Sequence, residues 1–463
     1  MRTLLRLALL VFAATSLLAQ DALPPEMRAS IDKAANEILA KTGAPSASIA
    51  VVKDGKIAYV HAYGNARLDP AVPATTQMRY SIGSISKQFT ASALLMMQEE
   101  GKLSLDDKVV RWIPEATRAK DVTIREILSM TSGYQDFWPQ DYVMPNMMNP
   151  ATPDEVVNGW AKKPLDFEPG SKWQYSNTNY VIAGMIFERV SGMPLVDFLQ
   201  QRVFGPLQMT SVFNTDVAAL PATDAMRYLR YAAGPLRVAP KEGKGWMYAA
   251  GELAMTASDL AKWDISIIDQ SILKPESYRE LEHEVELSSG VGTHYALGVG
   301  VSLADNRRQL SHGGEVSGFT AQNTVYPDDR AAIVVLTNLD ATGASGQITG
   351  RIAKLLFSTT DPGTQAALDE SKKIFAGLQK GQIDRSLFTS NANAYFSDQA
   401  LKDFATSLGP LGTPQDFTQA SQSLRGGMVL RRYTVKFAKQ TFNITTFWMP
   451  DGKLEQYIVA AAE

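Results

Sequence analysis

The chain has 463 residues, 45% hydrophobic and 20% charged, a composition that suits one sizeable core plus a smaller domain and argues against general disorder. Its 45 Lys and Arg against 48 Asp and Glu leave a charge of −3, with no basic footprint for nucleic acid or an anionic membrane surface. There is no cysteine, which excludes thiol catalysis, disulfides and Cys-based metal sites, and His61, His283, His294 and His312 lack the H-x-x-x-H spacing of a zinc site.

The first stretch, MRTLLRLALLVFAATSLLAQ, sets Arg2 and Arg6 before an apolar run and then small residues, the plan of a signal peptide over 1–19 cleaved near Ala19. A membrane anchor competes, but the apolar run of roughly a dozen residues falls short of the ~20 that span a bilayer. Cleavage would leave 43 basic and 48 acidic residues, a charge of −5, in a secreted or periplasmic protein with no membrane span. MRASIDKAANEILAKTG then reads as an amphipathic helix ending at Gly43, and SASIAVVKDGKIAYVHAYG as a hairpin turning at Asp54-Gly55.

From about 103 to 270 the pattern is helical and loop-rich, with Pro114, TSGY at Thr131–Tyr134 and a Met/Pro/Asn-rich loop near Met144–Pro150. Strand signals return in YALGVGVSL, RRQLSHGG, FTAQNTVYP and RAAIVVLTNL, and GQITGRIAKLLFS closes as a helix. Strands at both ends of a helical middle predict an α+β fold: an antiparallel sheet flanked by helices, with an all-helical subdomain inserted, over 20–360. Around STTDPGT the composition becomes linker-like, and 365–463 reads as a small α+β domain, two helical runs and then strands at MVLRRYTVKFA, QTFNITTFWM and KLEQYIVAA.

Three weak signals carry chemistry. S-x-x-K occurs three times, at Ser30/Lys33, Ser84/Lys87 and Ser271/Lys274, where ordinary composition yields roughly two. Ser84 stands apart because Gly83 precedes it and a strongly apolar helix follows, so the helix N-terminus can favour an oxyanion there; a simple helix cap is the competing reading. Lys87 is either a desolvated base or an ion-paired, snorkelling side chain. Tyr175 and Asn177, fixed between Pro169-Gly170 and a following helix, can exchange a proton with Ser84 and hold Lys87 and a substrate amide, or merely begin that helix. In LSHGGEVSGFTAQ, Gly313 and Gly314 bare a strand edge for substrate, His312 faces the same space, and the N–H of Glu315 can complete an oxyanion hole; alone, His-Gly-Gly is as readily a turn.

The order S-x-x-K, Y-x-N, H-x-G, together with FEPGSKWQYSNTNYVIAGMIFERVSG, FGPLQMTSV, TASDLAKW and HGGEVSGF, resembles the serine β-lactamase and penicillin-binding-protein superfamily, in its class C-like esterase and peptidase branch, from about Ser30 to Phe357. The resemblance implies Ser84 as the acylated nucleophile and Lys87 as its base. It makes Tyr175 a base and proton relay and Asn177 the lysine and substrate-amide contact. Substrate would lie along His312, Gly314 and Glu315, with the N–H groups of Ser84 and Glu315 as oxyanion hole. His312 stands where β-lactamases have the lysine of K-T-G, which weakens recognition of a carboxylate and shifts the expectation toward esters and peptides. Met130 replaces a common histidine in SMTSGY, suggesting a changed loop contact.

The expected function is thus an exported acyl-enzyme hydrolase of ester, amide or peptide carbonyls, D-amino-acid peptides included, with a small-molecule or peptide substrate and no metal or organic cofactor. A true β-lactamase and a non-catalytic peptide or peptidoglycan receptor are the alternatives. Tyr134, Trp138 and Tyr142 line an acyl pocket or belong to the core. Residues 365–463 resemble the nuclear-transport-factor-like cone fold by pattern, in GGMVLRRYTVKF and DGKLEQY.

Overall fold

Asp54 and Gly55 stand at φ of 54° and 73°, the left-handed pair that a two-residue hairpin turn needs, and join β1 (Ser46–Lys53) to β2 (Lys56–Leu68). The structure is a computed structural model and describes residues 22–140, 142–304, 307–357 and 362–462; the expected signal peptide lies outside them. The chain divides into two compact units, one ending at Phe357 and one beginning at Ser358.

In the first unit the hairpin joins β3 (Ala71–Pro73), β4 (Gly300–Ala304), β5 (Arg307–Val316), β6 (Phe319–Tyr326) and β7 (Ala331–Thr337) in a seven-stranded sheet. The order is β3-β2-β1-β7-β6-β5-β4, and every pair is antiparallel. Its longer helices are α1 (Pro25–Thr42), α2 (Ser86–Glu99), α3 (Asn177–Ser191), α4 (Ala257–Asp269) and α5 (Ala344–Leu356). β1 and β7 are buried on both faces, so Ile49–Val52 of β1 and Ala331–Leu336 of β7 run apolar without alternation. Ile49, Val51, Ile333 and Val335 share a core with residues of α1 and α5, whereas Ala50, Val52, Val334 and Leu336 belong to the core built around α2, α3 and α4. The helix cap predicted at Gly43 takes φ 74°, and its N–H returns to Leu39 O.

The segment 103–270 is mainly helix and loop, but it also holds strands of two or three residues at Phe213–Asn214, Tyr228–Leu229, Arg237–Val238 and Leu253–Met255, so it is not all-helical. Such strands are too short to show a period of two in sequence. One of them matters for the site, because Leu253–Met255 pairs with Tyr80–Ser81 and Leu253 O accepts the N–H of Ile82, fixing the approach to Ser84.

The second unit holds α6 (Pro362–Leu378), α7 (Asp398–Leu408), β8 (Asp416–Arg425), β9 (Met428–Lys436), β10 (Thr441–Trp448) and β11 (Leu454–Ala461). The four strands form an antiparallel sheet in chain order over a core that includes Phe375, Phe396, Tyr433 and Ile444. β8 is absent from the sequence reading. It is a sheet edge and its sequence, DFTQASQSLR, is too polar to alternate. Among the described residues no helix is long and apolar enough to cross a membrane.

Candidate active site

Ser84 sits in a single 3-10 turn, Gly83–Ile85, from which α2 continues at Ser86. Gly83 is required there: its φ is 52°, and a Cβ would come within 2.8 Å of Glu315 N, because β5 passes directly over it. Twelve of the fourteen residues of α2 are buried, so the helix is fixed from all sides. Burying Phe89, Leu94, Leu95 and Met97 at about 1.5–3 kcal/mol each offsets the cost of drawing Lys87 into the same core. Gln88 adds direction: Trp263 Nε1 of α4 donates to its Oε1, and its Nε2 donates to Asn323 Oδ1 of β6. Ser86, given no chemistry in the sequence reading, accepts the N–H of Leu253.

Lys87 has no solvent exposure, and its Nζ reaches Ser84 Oγ at 2.9 Å, Asn177 Oδ1 at 2.8 Å and Ala250 O at 2.8 Å. Burial pushes its ammonium down to about 7, against the opposing pull of Asp136. The three partners decide what the neutral amine does. Asn177 Oδ1 and Ala250 O can only accept, so they take its two N–H bonds; Ser84 alone can donate, and the lone pair is left for its hydroxyl. The S-x-x-K spacing therefore places the amine of Lys87 against the hydroxyl of Ser84.

Tyr175 places its ring 5.0 Å from Lys87 Nζ. Burial raises its phenol far above the ordinary value, with Ser84 easing it slightly, so a resting tyrosinate is disfavoured and a neutral hydroxyl that passes a proton fits better than the expected base. That hydroxyl is buried and makes no hydrogen bond of normal geometry. Asn177 is the first residue of α3. Its backbone N–H donates to Asp136 Oδ1 at 2.9 Å and its Nδ2 to Asp136 Oδ2 at 3.3 Å. Asp136 escaped the sequence reading, which offers no local signal for a loop acid 41 residues away. Met130 acquires a function too, since its sulfur accepts the N–H of Ser176 at 3.4 Å and so anchors the segment carrying Tyr175 and Asn177.

On β5, pairing with β4 ends at Ser311, which leaves His312 to Val316 unpaired on that side. Gly313 is exposed and Gly314 is buried, and both line the cleft; a Cβ on Gly314 would lie 1.9 Å from Ile82 O, so this glycine also lets the protein's own backbone pass close by. His312 lines the cleft, but both ring nitrogens are engaged, Nδ1–H donating to Gly313 O at 2.5 Å and Nε2 accepting from Tyr295 OH at 2.9 Å. Burial, reinforced by Lys87, pushes its imidazolium down to about 4, so it is a neutral wall rather than the cation that a K-T-G lysine supplies.

These groups border a cleft of about 670 Å³. Ser84, Tyr175, Asn177, His312, Gly314 and Glu315 all line it, so the residues singled out in three distant stretches meet at one place, with Lys87 behind Ser84. Trp138 and Tyr142 also line it, but Tyr134 is core, its hydroxyl donating to Thr117 O. Asp136, Glu315 and Asp340 lie along its walls, and among the described residues no lysine or arginine does. Among the described residues, no group of three or more His, Asp or Glu could hold a metal ion.

Residues 31–356 match the beta-lactamase family. The chain is 26% identical over 363 residues to penicillin-binding protein 4* of Bacillus subtilis (strain 168), covering 75% of this chain and 78% of that one. It is 28% identical over 321 residues to a D-aminopeptidase of Brucella anthropi, covering 65% of this chain and only 57% of that one. Among solved structures it resembles a D-stereospecific amidohydrolase from Streptomyces sp., with 26% identity, a TM-score of 0.62, and coverage of 72% of this chain and 99% of that one. The match spans the unit in which Ser84, Lys87 and Asn177 meet, and the chain belongs to the beta-lactamase family of serine hydrolases.

Proposed function

We propose that this chain is an exported hydrolase that forms an acyl-enzyme on Ser84 and cleaves amides, esters or short peptides, D-amino-acid peptides among them, that lack a carboxylate beside the scissile bond. The contact of Lys87 Nζ with Ser84 Oγ at 2.9 Å, inside a site where Lys87 is pushed down to about 7, carries the reading. Neutral Lys87 takes the Ser84 proton as Oγ bonds to the carbonyl carbon. The N–H groups of Ser84 and Glu315 hold the oxyanion, Tyr175 hands the proton to the departing nitrogen or oxygen, and water releases the acyl group in a second round.

The charge of the cleft supports the choice of substrate. Glu315, Asp340 and Asp136 present carboxylates, His312 is neutral, and among the described residues no cation lines the walls, so a substrate carboxylate is repelled and a primary amine is welcome. That disfavours a true β-lactamase, whose substrates carry a carboxylate, and agrees with relatives named D-aminopeptidase and D-stereospecific amidohydrolase. The test is the ratio of kcat/KM for D-alanine p-nitroanilide and p-nitrophenyl acetate to that for nitrocefin. A ratio of at least about tenfold in favour of the amine-bearing amide is expected from the charge difference alone, and faster nitrocefin turnover would sink the proposal.

Export rests on the 1–19 pattern and predicts a mature N-terminus near Gln20 in the secreted or periplasmic fraction. For the C-terminal unit, helices leading into a four-stranded antiparallel sheet support a nuclear-transport-factor-like cone.

A further inference from the structure

We infer that Asp136 is a positioning residue that, by holding the Asn177 carboxamide in one orientation, aims the lone pair of Lys87 at Ser84. The inference rests on the acyl-enzyme reading above.

Asp136 is itself held in place, its Oδ1 accepting from Trp138 N–H at 3.1 Å and from Asn177 N–H at 2.9 Å. Its Oδ2 then faces the Asn177 side chain at 3.3 Å. A carboxylate accepts only, so the carboxamide must turn Nδ2 toward it and Oδ1 toward Lys87, 2.8 Å away. The opposite orientation would set two oxygens against each other at Asp136 and place an N–H donor on Lys87. A neutral Lys87 would then accept from Asn177, and its lone pair would no longer serve Ser84.

The other groups facing Lys87 do not impose this choice. Tyr175 and Tyr180 present rings at 5.0 and 5.5 Å, His312 on β5 has both nitrogens engaged elsewhere, and Ala250 offers a backbone carbonyl. Asp136 supplies the nearby negative charge, which favours the lysine's charged form.

The experiment follows the second-order rate of fluorophosphonate labelling from pH 5 to 9 in wild type, Asp136→Asn, Asn177→Ala and the double variant. Asp136→Asn keeps the shape but offers Asn177 a second amide, which permits the flip. Its labelling is expected to slow about 100-fold. Its acid limb should move down by about one pH unit, because the anion that favoured the ammonium is gone. Adding Asp136→Asn to Asn177→Ala should change the rate on the plateau above the acid limb by less than about threefold, the intermediary being absent already. A wild-type rate and acid limb in Asp136→Asn, or losses that multiply fully in the double variant, would overturn the inference. Should Asp136→Asn fail to fold, Asp136→Ala decides: a loss of about tenfold or more supports the inference, and a wild-type rate contradicts it. A wild type that is never labelled removes the acyl-enzyme reading, and this inference with it.

Discussion

Ser30/Lys33, Ser271/Lys274 and Ser84/Lys87 share the S-x-x-K spacing, yet the three pairs live in different surroundings. On α1, Ser30 Oγ donates to Glu26 O, and Lys33, 76% exposed, pairs with Glu37 at 3.9 Å. Ser271 follows the end of α4 and is exposed, and the N–H of Lys274 bonds Glu99 as the next short helix begins. Only Lys87 is sealed from water and meets its serine, at 2.9 Å. Spacing brings a lysine within reach of a serine, but burial is what favours its neutral amine, and burial here is a property of α2 as a whole.

Breaking that contrast should have very unequal effects. Ser84→Ala should abolish acylation, a loss of about ten-thousand-fold or more in kcat/KM, while Ser30→Ala and Ser271→Ala leave it unchanged within error. Lys87→Arg should lose about a thousand-fold, because a guanidinium stays protonated and cannot accept the Ser84 proton. In wild type the active form is the neutral amine, so kcat/KM should rise with pH through an acid limb near 7, and a limb near 10 would mean that Lys87 behaves like its exposed counterparts.

Adjacent glycines sharpen the same point about packing around Ser84. Gly314→Ala drives a methyl into Ile82 O and should destabilise by about 2–3 kcal/mol in denaturant melts. At Gly313 the nearest atom to a new Cβ is Gln322 Oε1 at 3.6 Å, so Gly313→Ala should stay within about 0.5 kcal/mol.

A buried acid near α2 adds an effect that depends on pH. Burial, with Asp216 adding to it, pushes Glu252 up to about 8, so the folded chain keeps a proton that the unfolded chain releases above about 4.5. Wild-type stability should therefore fall as pH rises from about 4.5 to 8, and Glu252→Gln should flatten that slope by about 3–4 kcal/mol when melts at pH 5 and 8 are compared.

What could be read from the residues alone follows the same division. The Asp54-Gly55 turn, the Gly43 cap and the apolar runs within β1 and β7 are local patterns, and each predicts its element. Ser84 and Lys87 were legible because one helical turn links them. Asp136, Ala250 O and the sulfur of Met130 were not, since each matters only after the chain has folded a distant segment against it. The second constraint on Gly314, its contact with Ile82 O, is not legible either, because that neighbour comes from another part of the chain. β8 was missed for the opposite reason, having little apolar surface to declare it.

The most direct measurement is the intact mass of the protein after incubation with a fluorophosphonate, in wild type and in Ser84→Ala. A single adduct in wild type that is absent from the variant is the predicted result. An adduct that survives in Ser84→Ala, or a wild type that takes up no label, would contradict the assignment of Ser84 as the nucleophile.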